Sequence, residues 1–394
     1  MTENKKHILL QNNYSVAYTE DKCFENDTEL IKEEKDTRPI KEIAEKLKFD
    51  KLYDTFLKKH CRHIVVLTAA GTSLDNGDKG GRTREGLWNE CQAEIDAFKG
   101  KITDLENKDF YTNKDIEELL SHIVLYEKLN GTITNDKDES LKSFLETKIS
   151  QSCKLDLQPQ APHKDFLNKI TARKNNDARV QLFTTNYDTL FEQAANRAGF
   201  VIIDGFSFTQ PREFSGKWFD LDIVNREKTR LKQEESFVSK VFHLYKLHGS
   251  LNWTKENDKI IQKNTDSPLI IYPASEKYES SYEQPYFEMM SRFQQALRKE
   301  ETLLIVVGFG FQDKHIQNVI VEAVEQNPSF QLLIVNYNGT GGISTDNLDS
   351  FFIDKEKMKV KRNVNIVFDT FKNFTDNYPE NQTYYSKDNE NQAV

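Results

Sequence analysis

The sequence has few cysteines and no long apolar run, and both deficits exclude classes of protein. No two of its four cysteines lie within four residues of each other, so the paired spacing of a zinc knuckle or ribbon is missing. We therefore expect free thiols. No apolar run approaches the roughly 20 residues that span a bilayer. No apolar segment follows the amino terminus as in a secretory signal, so the sequence predicts a cytoplasmic protein.

Two nucleotide-binding motifs are also missing. The P-loop pattern G-x-x-x-x-G-K-[ST] does not occur, so any ATP-driven step must come from another chain. The dinucleotide fingerprint G-x-G-x-x-G does not follow the first apolar run. The net charge is −9 with mixed signs along the chain, which argues against a nucleic-acid surface covering the whole protein but leaves a local basic groove open.

Apolar, β-branched runs recur along the 394 residues, and long segments with partly helical patterns separate them. Several runs are continuous rather than alternating, as is typical of parallel strands covered on both faces. The pattern predicts an α/β protein with a doubly wound, mainly parallel sheet. The predicted strands are 64–67, 180–183, 201–203, 241–247, 269–272, 303–307, 332–335 and 364–368, and the clearest predicted helices are 39–59, 116–129, 286–298 and 316–324.

The chain is predicted to have three parts. Residues 1–59 form an amino-terminal segment, irregular to about residue 37 and then helical. Residues 60–375 form the main domain, which contains a helical insertion over about 80–179. Residues 207–240 and 254–267 are predicted to be charged loops. Residues 376–394 are rich in Asn, Glu, Gln and Lys and are expected to be a disordered tail.

A loop of small and hydroxylated residues follows the first predicted strand. Its residues are Ala69, Ala70, Gly71, Thr72 and Ser73. Small residues allow backbone N–H groups to approach a diphosphate, and a following helix N-terminus favours negative charge. The alternative is a tight turn capped by a hydroxyl. By itself the loop does not separate these interpretations.

Two more strand ends carry candidate side chains. Asn186 and Asp188 lie two positions apart, so in extended backbone they face one side and could grip ribose hydroxyls or order a water molecule. Turn chemistry is the alternative for this pair. His248 is a candidate general base, because the pKa of an imidazole lies near neutrality. His315 is the second choice, with a capping or packing role preferred.

The last two strand ends also carry candidates for ligand contact. Gly308 and Phe309 follow the strand 303–307, where glycine permits close approach of a ligand. Asn336 follows the strand 332–335 and could bind a ribose or a base, or belong to a turn.

These segments, in this order, resemble a sirtuin-type NAD-binding domain across about residues 60–340. Thr68–Ser73 resembles the Gly-Ala-Gly-x-Ser loop, Thr185–Asp188 resembles Gln-Asn-Ile-Asp, and His248 stands where the catalytic histidine falls. Gly308–Phe311 is similar to the Gly-Thr-Ser loop in position. The exact residues of these segments are most similar to those of the bacterial anti-phage branch of sirtuin-like proteins. Within that branch, the chain resembles in particular the subunit that partners a HerA-type ATPase.

The resemblance implies an NAD glycohydrolase that produces nicotinamide and ADP-ribose in anti-phage defence. Asn186, His248 and Asp188 would be catalytic, residues 69–73, Thr185, Gly308, Phe309 and Asn336 would bind NAD, and no metal is expected. The chain would form a homo-oligomer that binds the separate ATPase in a hetero-oligomeric complex. All four cysteines precede His248, so the zinc module of sirtuin deacetylases is missing. The alternatives are an NAD-dependent protein deacylase, and a sensing subunit or nuclease component of a defence complex.

Overall fold

A computed structural model of the chain describes residues 5–32, 36–98, 100–102, 107–134, 139–174, 177–225, 237–265, 268–270, 284–337 and 348–380. Its centre is an eleven-stranded sheet with the order β4-β3-β2-β1-β16-β13-β12-β5-β6-β9-β7. Seven neighbouring strands of this sheet are mutually parallel, and they are β5 (His63–Thr68), β6 (Gln181–Thr184), β7 (Val201–Ile203), β9 (Val241–Lys246), β12 (Thr302–Val307), β13 (Gln331–Asn336) and β16 (Val364–Phe368). The predicted doubly wound, mainly parallel sheet is therefore confirmed.

The strand order reverses direction at β5. The chain passes from β5 to β6 on one side, and returns later to place β12 against the other side of β5. Such a reversal opens a crevice at the carboxyl ends of the strands, where open α/β sheets bind their ligands. This crevice is where the predicted site segments begin.

The amino-terminal segment is not irregular, and that prediction is wrong. β1 (Lys6–Gln11), β2 (Tyr14–Tyr18), β3 (Cys23–Glu25) and β4 (Thr28–Leu30) form an antiparallel meander that joins the main sheet through β16. Two-residue connections separate β1 from β2 and β3 from β4. In the second connection, Asn26 and Asp27 have φ of 51° and 63°, as a type I′ hairpin turn requires.

Helices cover both faces of the sheet. One face carries α1 (Ile40–Lys48), the π-helix Phe49–Phe56 that continues it, α7 (His163–Thr171), α8 (Leu190–Ala198) and α11 (Phe371–Asn377). The other face carries α9 (Tyr286–Leu297) and α10 (Lys314–Gln326). The helices predicted over 39–59, 286–298 and 316–324 are confirmed. Among the described residues, no helix has the length and apolar character needed to cross a membrane.

The predicted insertion is helical in its described residues. The short α2 (Ala70–Leu74) and a 3-10 turn (Gly77–Lys79) lead into α3 (Arg84–Ala97), α4 (Asp109–Thr112), α5 (Ile116–Asn130) and α6 (Leu141–Ser152). Helices α3 to α6 bury their own core, which contains Trp88, Leu119 and Leu145. Helix α7 instead packs on α8 and the main sheet, so the separate helical body ends before residue 163.

Two predicted loops are partly strands, contrary to prediction. β8 (Arg212–Glu213), β10 (Trp253–Glu256) and β11 (Lys259–Gln262) form a small sheet, and a 3-10 helix spans Gly216–Asp220. A two-stranded hairpin, β14 (Ile353–Asp354) and β15 (Lys359–Val360), precedes β16. In the predicted strand 269–272, Ile270 forms a bridge with Gly249, and residues 271–272 lie outside the described residues.

The predicted tail begins too early. Residues 376–380 are described, and Tyr378 is buried at 5% exposure because it packs against the aromatic core under α7 and α11. The remainder of the predicted tail, residues 381–394, lies outside the described residues.

Candidate functional site at the carboxyl edge of the sheet

The predicted segments begin at one level of the sheet. Val307 of β12 pairs with Thr68 of β5, Thr68 pairs with Thr184 of β6, and Thr184 pairs with Lys246 of β9. These four residues form a row across the carboxyl edge. The loops that follow them therefore emerge side by side, at the point where the strand order reverses.

The loops after β5 and β12 touch through glycines. The N–H of Gly71 donates to the carbonyl oxygen of Gly308 at 3.1 Å. A Cβ atom on Gly71 would lie 2.5 Å from the Gly308 Cα, and Gly308 has φ +68°. These glycines allow two backbones to meet. Ala69 has φ −146°, so this position needs no left-handed conformation and accepts an alanine.

Asn186 lies at the centre of a hydrogen-bond network. Its Nδ2 donates toward Ser73 Oγ (2.8 Å), the Ala69 carbonyl (3.0 Å) and Thr72 Oγ1 (3.2 Å). Ser73 Oγ in turn donates to Asp188 Oδ2 at 2.5 Å. The other oxygen of Asp188 accepts from the backbone N–H at the start of α8, at 3.0 Å. The structure therefore brings together Asn186, Asp188 and the loop 69–73, as the sequence predicts.

The donors of the loop 69–73 are largely committed to the protein. Thr72 Oγ1 donates to the Ala69 carbonyl at 2.9 Å, and Ser73 Oγ donates to Asp188. The Gly71 N–H is bonded to Gly308, while Ala70 is exposed. A diphosphate at this loop would have to exchange with these bonds or lie against Ala70. NAD binding by residues 69–73 stays a prediction.

A buried lysine at the end of β9 binds the backbone of the loop that carries Asn186. Lys246 is 2% exposed, and its Nζ donates to the carbonyl oxygens of Tyr187 (3.3 Å) and Asp188. The same Nζ lies 2.9 Å from Glu192 Oε1 on α8. Burial raises the pKa of Glu192, and Lys246 opposes that shift. Sequence reasoning missed Lys246, although a charged residue at the end of an apolar strand was a signal for it.

His248 reaches across the edge to the loop after β12. Its Nε2 lies 3.1 Å from Asp313 Oδ2. Two strands, β6 and β5, separate β9 from β12 in the sheet, so their axes lie roughly 14 Å apart. The loop from Gly308 to Asp313 therefore extends over the crevice. Asp313 was not among the predicted site residues, although the sequence Gly-Phe-Gly-Phe-x-Asp pointed to it.

The segment after His248 is held by close backbone contacts with neighbouring segments. Gly249 has φ +82°, and a Cβ there would overlap the Leu269 carbonyl oxygen. The Leu251 N–H donates to the Tyr187 carbonyl at 3.1 Å, and Ser250 Oγ lies 3.4 Å from the same oxygen. Tyr187 packs against the core of the helical insertion. Thus the histidine segment, the Asn186 loop and the insertion are in contact.

The remaining predicted residues differ in what they offer. The Thr185 N–H donates to the Thr68 carbonyl at 3.0 Å. Phe309 is 8% exposed and packs on Phe311, so an NAD contact would have to come from its backbone. Asn336 is 4% exposed at the carboxyl end of β13, on the same edge. In the part of the chain that is described, no group of three or more His, Cys, Asp or Glu residues could hold a metal ion.

Comparison with known proteins adds a family relationship for part of the chain. Residues 180–353 match the profile of the SIR2-like domain family. No curated protein matches the chain. The matched region contains Asn186, Asp188, His248, Gly308 and Asn336, whereas the loop 69–73 precedes it. This region is therefore sirtuin-like. Because SIR2-like domains bind NAD, the match indicates an NAD-related activity.

Proposed function

We propose that the protein is an NAD glycohydrolase. A water molecule attacks the anomeric carbon of the nicotinamide ribose, the C–N bond breaks, and its electron pair leaves with nicotinamide. The products are nicotinamide and ADP-ribose. The position of His248 and Asn186 on one edge of a sirtuin-like sheet, at its topological switch point, supports this reaction.

The geometry of Asn186 carries the proposal. Its Nδ2 is held by the loop 69–73, and its Oδ1 accepts no hydrogen bond from the described residues. An oriented amide oxygen of this kind can accept a hydrogen bond from the attacking water or a ribose hydroxyl. His248 would accept a proton from the same water or hydroxyl.

We propose that Asp188 acts through Ser73 rather than directly on NAD. Both of its oxygens are bonded, one to Ser73 and the other to the backbone of Leu190. We therefore assign Asp188 to positioning Ser73, and through it Asn186. No metal is required, because nicotinamide is already a cationic, activated leaving group in NAD.

The direct test is product analysis by chromatography after incubation of purified protein with NAD. His248→Ala is expected to lower the rate by about 10²–10⁴-fold, the usual contribution of a general base. His60→Ala is a matched control, because His60 is exposed and precedes the amino end of β5. A folded His248→Ala protein with wild-type turnover would contradict the proposal. Acyl transfer from a lysine peptide would favour the deacylase. NAD binding without turnover would favour a sensing subunit, and DNA cleavage would favour a nuclease component.

We propose further that this activity depletes NAD in anti-phage defence, and that the chain acts as a homo-oligomer bound to a HerA-type ATPase. Sequence resemblance supports this assembly, as does the missing P-loop, which leaves ATP hydrolysis to another chain. Light scattering of the isolated chain and co-purification with the ATPase would test it. A monomer that does not bind the ATPase would refute the assembly and leave the NAD chemistry standing.

A further inference from the structure

The carboxylate of Asp313 is shared between His248 and a helix. Its Oδ2 lies 3.1 Å from His248 Nε2. Its Oδ1 accepts the backbone N–H groups of His315 (3.0 Å) and Ile316 (3.4 Å), so Asp313 is the N-cap of α10. The two side chains are only 14% and 8% exposed. The partner of His248 is thus held by the start of a thirteen-residue helix.

This arrangement determines which nitrogen of His248 is basic. Hydrogen bonds from backbone N–H groups and the positive end of a helix dipole favour the ionised carboxylate. An ionised carboxylate can only accept hydrogen bonds. The contact therefore requires a hydrogen on Nε2, and in the neutral imidazole Nδ1 is then the nitrogen that can take a proton.

We propose that Asp313 is a positioning residue that fixes His248 as the Nε2–H tautomer, so that Nδ1 is the atom that accepts the proton during catalysis. The catalytic consequence rests on the proposed NAD hydrolysis, whereas the tautomer does not. When Nδ1 takes a proton from the attacking water or a ribose hydroxyl, the hydrogen on Nε2 stays in place. The imidazolium that forms is stabilised by the adjacent carboxylate.

Other charged groups on the neighbouring segments have partners of their own. Lys246, two residues before His248, is ion-paired with Glu192 at 2.9 Å. Lys314, beside Asp313, lies 3.8 Å from Asp349, and Asp188 is bonded to Ser73. Of the charged residues named here, Asp313 is the one that contacts the His248 ring directly.

Two substitutions separate the contact with His248 from the capping of α10. Asn and Ser are N-caps comparable to Asp, so Asp313→Asn and Asp313→Ser are expected to keep the helix. Asn removes the charge but can still reach the ring, whereas the Ser side chain is too short. Asp349→Asn is the matched control, because Asp349 also accepts a backbone N–H, from Phe351 at 2.8 Å, and contacts α10 without touching a histidine.

The experiment records nitrogen NMR of the histidine rings in the full chain, with His248→Ala to assign the resonance. In the wild type we expect His248 to carry its hydrogen on Nε2. In Asp313→Ser the two tautomers should become mixed, and Asp349→Asn should retain the wild-type spectrum. For NAD cleavage, we expect both Asp313 variants to lower kcat/KM by about 10²–10⁴-fold. The acidic limb of their pH profiles should move to lower pH by about one unit or more, because a neighbouring carboxylate favours the protonated ring.

Two results would overturn the proposal. One is a wild-type ring with its hydrogen on Nδ1. The other is a tautomer, rate and pH profile that stay unchanged in both Asp313 variants. If His248→Ala retained NAD cleavage while the tautomer changed as expected, the proposed function would fail and the Asp313 contact would stand. The NMR and activity measurements therefore distinguish the two failures.

Discussion

Replacement of Lys246 by methionine should loosen the Asn186 loop and destabilise the fold by about 3 kcal/mol. Methionine fills a similar volume but cannot pair with Glu192, which is 21% exposed in its side chain. Leaving a partly buried carboxylate without its partner costs about 2 kcal/mol, which is less than the penalty for breaking a wholly buried ion pair. The Asp188 carbonyl also loses its hydrogen bond to Nζ, worth about 1 kcal/mol. The Tyr187 carbonyl keeps the bond from Leu251.

The destabilisation should depend on pH in a defined direction. Burial raises the folded-state pKa of Glu192, and without Lys246 only a backbone hydrogen bond opposes the shift. A carboxyl whose folded pKa exceeds its unfolded value destabilises the folded state at pH above the folded pKa. That penalty disappears as the pH falls below the unfolded pKa, near 4.3 for a glutamate. The deficit of Lys246→Met should therefore be largest at neutral and alkaline pH, and should shrink as the solution is acidified.

Urea unfolding at about pH 8 and pH 5 measures both quantities. The double variant Lys246→Met/Glu192→Gln is the control, because it removes the stranded charge and with it the pH dependence. A deficit of less than about 0.5 kcal/mol at pH 8, within the range of ordinary surface substitutions, would refute the reasoning. So would a deficit of equal size at both pH values.

Three further predictions concern the site. Asn186→Ala should lower turnover by about 100-fold, because the attacking water and the ribose lose their positioning. The variant should keep an NAD affinity that calorimetry can measure, because the predicted diphosphate contacts come from residues 70–73. Complete loss of affinity with normal turnover per bound NAD would make Asn186 a binding residue only. Gly71→Ala should cost about 1–3 kcal/mol and weaken NAD binding, since its Cβ would lie 2.5 Å from the Gly308 Cα. Gly310→Ala, in the loop of Gly308, meets nothing within 4 Å and should keep wild-type stability; equal stability of the two variants would contradict the close contact. Chelators should leave NAD cleavage unchanged, and loss of bound zinc together with activity would revive the deacylase interpretation.

The parallel strands were predictable because each is defined by its own residues. Val307 is the last of six consecutive buried positions in β12, and Leu67 lies in a similar run in β5. A strand buried on both faces must be apolar throughout, so a continuous run of β-branched residues indicates it. The order of the site motifs was readable for the same reason, since each motif follows directly after such a run.

The antiparallel strands at the amino terminus were missed because their apolar stretches are no longer than three residues, as in 8–10 of β1. β1 has the polar residues Lys6 and Gln11 at its ends. β4 has only three residues, and none of them is buried. Their stability comes from pairing with β16 and with one another. The two-residue turn at Asn26 and Asp27 was the local signal, and it lay between strands too short to stand out.

By itself, the sequence determined the parallel strands, the helices that cover them and the residues that follow each of these strands, because these features depend on the local apolar pattern. Tertiary structure alone decided which of those residues meet. His248 and Asp313 are 65 positions apart, and Asn186 and Ser73 are 113 apart. These contacts exist because the sheet places β12 beside β5 and β6 beside β9, and strand order is a property of the whole packed core rather than of any segment.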